Sequence, residues 1–190
     1  MKEGIDLKFL KSVKKFYFHY PFPVTVVGAK HGDKINFMSA AWHAQFSFDP
    51  PLYGVLISPK RFTHDLIKKS SAFSLNFLDS SKFRIVHLMG RISGRDVDKV
   101  GELNLKVFIG KELEVPILSE SYAAYECELF DEKKYGDHTL FVGKIVGIHY
   151  DEELFNEKYQ PDITKIIPTL YLGSNVYPMF ELREIVELEG

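Results

Sequence analysis

Two runs near the middle of the chain, Tyr125–Lys134 and Thr139–Tyr150, are long and rich in β-forming residues, and only Tyr135-Gly136-Asp137-His138 separates them. A Gly-Asp pair between two such runs marks a hairpin connection. Gly143 and Gly147 interrupt the second run, where glycine suits a bulge or sharp bend of the kind a small barrel needs at its corners. Other strand signals surround this hairpin. Val24–Ala29 is followed by a His31-Gly32-Asp33 turn and a return strand near Lys34–Phe37, Leu52–Ile57 is a short apolar run, and Ala72–Leu78 alternates. Ile166–Tyr177 reads as a last short strand and turn.

Helical patterns are fewer and shorter. Leu7 to about Phe16 fits an amphipathic helix with Leu7, Leu10 and Val13 on one face, and His64–Lys69 fits another, with Thr63 as its N-cap and Asp65 in its first turn. Asp79 or Ser80 can cap a helix running through Met89 and ending at Gly90 in the C′ position. Asp96 or Asp98 can cap a short helix that includes Lys99. Asp151–Pro161 reads as a polar loop or short helix, and Met179–Gly190 as a charged extension. Many strands with few helices, and no βα alternation, predict a mainly β fold: a β-barrel with peripheral helices. No repeat or break in composition divides the 190 residues, so a single domain is expected.

Composition narrows the function. A net charge of −2 gives no bulk attraction to nucleic acid or to an anionic membrane. No apolar run is long enough to cross a bilayer, and the N-terminus lacks a signal-peptide pattern, so a cytoplasmic location is the default expectation. The single cysteine, Cys127, rules out an internal disulfide and any multi-cysteine metal site. It sits in an alternation of Tyr125, Cys127 and Leu129 against Glu126 and Glu128, which suits a small buried hydrophobe. The seven histidines lack metal-ligand spacing, and no metal is expected. Phosphate-loop, dinucleotide-binding and nucleophile-elbow motifs are absent.

The stretch from Asn36 to Thr63 carries the most chemistry. It opens with Asn36, Ser39, Ala40 and Ala41 around the one tryptophan, Trp42. Small side chains let a flat polar ring approach the backbone. After the stiff Asp49-Pro50-Pro51 turn and the Leu52–Ile57 strand come Ser58-Pro59-Lys60-Arg61-Phe62-Thr63, leading into a helix. Hydroxyls and cations at a helix N-terminus can hold a phosphate. A ring site beside a phosphate site suits flavin mononucleotide; a solvated turn before a helix is the plain alternative. Asn76, among apolar neighbours, needs a partner that either a ligand or a neighbouring loop could supply. His138 is either a functional residue or an ordinary turn histidine.

Pro21–Val27 (PFPVTVV), Asn36–Trp42, Asp49-Pro50-Pro51, Ser93–Lys99 (SGRDVDK), Glu126-Cys127, Gly136–Gly143 (GDHTLFVG) and Pro168–Tyr177 occur in that order. With these motifs the chain resembles the flavin reductase-like family of FMN-binding split barrels, which includes flavoredoxins and flavin reductase components of monooxygenases. The resemblance covers about residues 20–177. It implies a homodimer holding FMN, with NADH or NADPH as transient co-substrate, and either reductase activity or a flavoredoxin-like carrier role with a redox partner protein. It further implies that Asn36, Met38, Ser39, Ala40 and Ala41 contact the ring, with Trp42 beside it. Ser58, Arg61 and Thr63 would hold the phosphate. Asn76, Ser93, Gly94, Lys99, His138 and Tyr171 complete the expected cofactor set, with Lys99 and His138 as candidates for tuning the flavin. Met38 departs from the threonine or serine of many relatives, so a side-chain hydrogen bond to the flavin is in doubt there.

Overall fold

The computed structural model describes residues 7–11, 13, 16–181 and 185. Its elements in chain order are β1 (Phe22–Pro23), β2 (Thr25–His31), β3 (Lys34–Ala40), β4 (His43–Phe48), β5 (Pro51–Ile57), α1 (Phe62–Ser70), β6 (Ala72–Phe77), α2 (Phe83–Arg91) and α3 (Lys99–Glu102). Then come β7 (Val107–Ile109), β8 (Pro116–Leu118), β9 (Ala123–Tyr135), β10 (His138–Tyr150) and β11 (Leu170–Tyr171).

Seven strands form one antiparallel sheet in the order β3-β2-β6-β9-β10-β5-β4. The two edge strands, β3 and β4, are halves of one piece of chain bent at Ala41-Trp42. The first half pairs with β2 and the second with β5, and at the bend the Leu56 N–H donates to the Trp42 carbonyl at 2.9 Å. The two ends of the sheet thus meet in a single bent segment, which closes the barrel at that corner. The sequence reading ended this strand near Phe37 and did not foresee β4. The half-exposed pattern of β4 gives weak alternation, and its pairing is set by the closure rather than by its own residues.

The long hairpin forms as expected, with its turn at Gly136-Asp137 and a positive φ of 59° at Gly136. Its pairing register shifts at Val142/Gly143 and at Ile145/Gly147, the two foreseen bulges. Gly143 also lacks room for a side chain, since a Cβ there would lie 2.6 Å from the Cys127 Cβ and 2.6 Å from the Phe73 ring.

Inside the barrel, Val27, Met38, Ile57, Phe73, Leu75, Cys127 and Phe141 pack against Leu66 and Ile67 of α1. Cys127 is fully buried, and burial pushes its thiol pKa upward, as suits an inert packing residue. A second cluster on the outer face joins Val26, Phe37 and Leu118 to Val86 and Met89 of α2.

Several helix expectations need correction. The described residues between Leu7 and Phe16 are not helical, and Leu7, Leu10 and Val13 are exposed. A short helix without a surface to bury its stripe is marginal in water. The residue that caps α1 is Arg61, without a side-chain bond; Thr63 lies inside the helix and is fully buried. Gly90 falls in the last turn of α2, which runs to Arg91 and is closed by Ile92 in an extended conformation. Asp79 caps a single 3₁₀ turn, Ser80–Lys82, that leads into α2, and Asp98 caps α3 by accepting from the Val100 and Gly101 amides. Another short 3₁₀ turn, Glu152–Leu154, falls within the expected polar segment.

Candidate functional site

The bend that closes the barrel also opens a groove. Met38, Ser39, Ala40, Ala41 and Trp42 line its floor, and the cavity above them has a volume of about 590 Å³, within the range of small-molecule sites. The alternation of β3 sets the orientation of this floor. Asn36, Met38 and Ala40 belong to the interior face, whereas Phe37 packs outward with α2 and the Ser39 hydroxyl donates to the Val86 carbonyl of α2. With the Ser39 proton committed to that bond, small side chains and backbone are what the floor offers to a flat ring.

Ser58, Lys60 and Arg61, from the turn between β5 and α1, line one end together with Asp137 and His138 from the tip of the long hairpin. Lys60 and Arg61 are exposed, and Arg61 donates through Nη1 to the Gly90 carbonyl at 3.2 Å. Among the described residues the one carboxylate lining the groove is Asp137, which lies 2.7 Å from His138 Nδ1, and that bond and the histidine's charge hold its carboxyl below the ordinary range. The cations therefore outnumber the anions, as an anion-holding end requires. The His138 ring stands 4.8 Å from Trp42 at a tilt of 47°. Trp42 donates through Nε1 to the Tyr20 hydroxyl at 2.9 Å. Tyr171 of β11 closes the other side.

Nine of the expected cofactor residues thus meet in one groove: Met38, Ser39, Ala40, Ala41, Trp42, Ser58, Arg61, His138 and Tyr171. Of the others, Asn36, Thr63, Gly94 and Lys99 support it from behind. Asn36 is buried and donates through Nδ2 to the Thr63 hydroxyl at 2.7 Å, tying β3 to α1, while its Oδ1 has no hydrogen-bond partner among the described residues. Gly94 packs so closely on Asn36 that a side chain there would collide with the amide, and Ser93 accepts the Arg95 N–H within the same turn.

Lys99 is also a support. It is 3% exposed and donates through Nζ to the Phe37 carbonyl at 2.7 Å and the Met89 carbonyl at 2.8 Å, clamping β3 to the end of α2. Burial first, and the Arg61 charge second, lower its pKa to about 8. Asn76 does not reach the groove. It bonds the Val26 carbonyl and the Ser74 hydroxyl through Nδ2, and accepts the Leu118 amide through Oδ1, so the neighbouring-loop alternative holds.

Lining residues that sequence reasoning missed are Tyr17, Tyr20, Leu56 and Asp137, while Lys60 was read as one of the two cations before the helix. Asp137 sat inside the quoted GDHTLFVG motif and could have been singled out by its charge. Tyr17 and Tyr20 carried no local signal, because the fold alone brings that segment across the groove. Among the described residues no cluster of His, Cys, Asp and Glu could hold a metal ion, and no helix is long and apolar enough to cross a membrane.

Comparison with known proteins agrees with this architecture. A family model described as a flavin reductase like domain matches residues 17–179. An uncharacterized protein of Pyrococcus abyssi is 40% identical over 136 residues, which span 72% of this chain and 78% of that protein. The crystal structure of an FMN-binding protein from Thermus thermophilus with bound 1-cyclohex-2-enone superposes with a TM-score of 0.81 at 40% identity, covering 92% of this chain and 95% of the other. Flavoredoxin from Methanosarcina acetivorans gives a TM-score of 0.82 at 29% identity over 96% and 95% of the two chains. The barrel closed by its bent edge strand is a split barrel, and the chain belongs to the flavin reductase-like family.

Proposed function

We propose that the groove binds FMN and that the protein is an NAD(P)H-dependent flavin oxidoreductase. The observation that carries this reading is the junction of a small-residue floor with a cationic end, both built at the barrel's bend. Backbone and small side chains of Met38–Ala41 suit the isoalloxazine ring, and Ser58, Lys60, Arg61 and His138 suit its phosphate. The FMN of the Thermus thermophilus relative supports the same cofactor here.

Bound FMN would supply the redox chemistry, with hydride from NADH or NADPH arriving at its N5. The chain's own contribution is to bind, orient and exclude water. Trp42 and Tyr171 flank the floor, which leaves the ring's open face for a nicotinamide to stack transiently. The buried Lys99 places a positive charge behind β3, where it favours an electron-rich ring. The test is a visible spectrum of the protein with FMN, followed by anaerobic NADH and NADPH. Rapid bleaching by either donor supports the reductase, and a bound flavin that neither donor reduces rejects it.

A second reading, an electron carrier reduced by a partner protein, is favoured by the flavoredoxin similarity, which extends over nearly the whole chain. Reduction by a protein donor but not by nicotinamides would select it.

Lys99 makes the cofactor reading pH-dependent. Its pKa in the folded protein lies below that of an ordinary lysine, so the fold disfavours its charged form, and a nearby phosphate restores that charge. FMN affinity is therefore expected to fall as pH rises above about 8, by up to about tenfold per unit for one linked proton. Titration of FMN fluorescence from pH 7 to 9.5 measures the slope, and a Lys99→Met variant should flatten it.

A homodimer is part of the proposal. Phe46, Phe48 and Ile148 are 54%, 88% and 56% exposed on β4 and β10, and a second copy would cover them. Light scattering should give twice the chain mass of 21.9 kDa. A monomer at micromolar concentration would remove this part.

A further inference from the structure

A second cavity, of about 490 Å³, lies between the β7–β8 hairpin and the end of β10. Phe108, Lys111, Ile117, His149, Tyr150 and Asp151 give it its character, and it shares no lining residue with the groove. His138 opens β10 at the groove and His149 nearly ends it, a run on the order of 30 Å along the strand. The two sites therefore stand apart.

Its polar wall is firmly held. Glu126, fully buried, already accepts three backbone amides of the β7–β8 turn, and its carboxylate also accepts from His149 Nε2 at 2.7 Å. A carboxylate only accepts, so the Nε2 proton belongs to that bond. In the neutral ring Nδ1 is then a lone pair, and it has no partner among the described residues. Phe108 meets the imidazole edge-on at 5.3 Å and keeps it in place.

Two further charges of opposite sign line the cavity. The Lys111 amide is taken up by Glu126, but its ammonium enters no ion pair among the described residues. Asp151 accepts the Glu153 amide through Oδ1 at 3.2 Å, and its second oxygen has no partner among the described residues. The wall thus combines one cation, one anion and a hydrogen-bond acceptor with the apolar surfaces of Phe108, Ile117 and Tyr150. Asp151 would repel a simple anion and Lys111 a simple cation, whereas a molecule carrying both charges satisfies both.

We infer that this cavity binds a free α-amino acid with an apolar side chain. Its carboxylate pairs with Lys111, its ammonium is shared by Asp151 and His149 Nδ1, and its side chain lies against Phe108, Ile117 and Tyr150. The volume is that of a small-molecule site. Ile148 is the one lining residue shared with the patch proposed for a second copy, so a second copy would border the cavity while the charged walls come from this chain.

Calorimetric titration with phenylalanine, phenylpropionate and phenethylamine tests this in the full-length wild type and in Lys111→Met and Asp151→Asn variants. Lys111→Met keeps the backbone amide that Glu126 needs, and asparagine keeps an oxygen to cap the turn Glu152–Leu154. Phenylalanine, with both charges, is expected to bind the wild type about tenfold more tightly than either analogue. Lys111→Met should weaken phenylalanine about tenfold and leave phenethylamine, which lacks the carboxylate, within about twofold. Asp151→Asn should weaken phenylalanine by a similar factor and spare phenylpropionate, which lacks the ammonium. FMN affinity should be the same in all three proteins, as two separate sites require. No binding of phenylalanine or leucine to the wild type at up to about 10 mM would overturn the inference. So would equal affinity for phenylalanine in wild type and both variants, or a parallel loss of FMN binding.

Discussion

An Arg61→Ala variant is expected to bind FMN about 10- to 100-fold more weakly, while its thermal midpoint shifts by no more than a few degrees. A hydrogen bond to a charged group contributes about 1.5–3 kcal/mol, and each 1.4 kcal/mol is about a factor of ten in affinity. The side chain is exposed and its one protein bond goes to the Gly90 carbonyl, which solvent can satisfy once the guanidinium is gone. Stability should therefore be nearly untouched, and the loss should appear in binding. Arg61 lines both the large groove and a smaller cavity beside it, so it matters wherever along the floor the phosphate lies. Fluorescence titration with FMN and with riboflavin separates the causes. Riboflavin lacks the phosphate and should bind wild type and variant equally. Unchanged FMN affinity would remove Arg61 from the site.

The largest effect on stability is expected at Glu126. Its carboxylate is fully buried and accepts the Lys111, Glu112 and Leu113 amides at 2.8, 3.0 and 2.7 Å, with His149 Nε2 at 2.7 Å. It thereby fastens the turn between β7 and β8 to the barrel. Glu126→Ala would strand three amide donors and an imidazole, at a cost of about 3–5 kcal/mol by analogy with broken buried pairs. For a chain of this size that lowers the thermal midpoint by about 10 °C. Burial alone would raise the carboxyl's pKa, but the His149 bond and the three amides bring it below the ordinary value. A depressed folded pKa stabilises the protein above the unfolded pKa of about 4.3 and ceases to as pH falls through the folded value. The gap in midpoint between wild type and variant should accordingly close on acidification below pH ~4. A constant gap would mean that lost packing, and not the charge, explains the effect.

Glu126 also marks the limit of what the chain's pattern discloses. Alternation sets it opposite Cys127, on the face where a glutamate is ordinarily solvated. Only the fold reveals that the turn after β7 wraps this face and directs its amides at the carboxylate. Gly110 has no side chain to obstruct that approach. The long hairpin, its bulges and much of the groove's lining were legible because each rests on local chemistry: glycine at a turn, small residues at a floor, cations before a helix. Asn36, Thr63 and Lys99, expected at the cofactor, stand as struts behind the groove's wall. Spacing places a residue near a ligand; which side of a strand it occupies follows from pairing register. Tyr17 and Tyr20 were illegible for a related reason, since what they contribute is set by a path through space.

Because one kinked length of chain both shuts the barrel and forms the bed for the ligand, folding and cofactor retention share a single fastening. A ligand held in that groove, as proposed for FMN, would touch both halves of the bent strand and so add to the barrel's stability. Any sequence change that relaxes this corner is felt twice, once as a looser barrel and once as a leakier cofactor. Selection for either property therefore tightens the other.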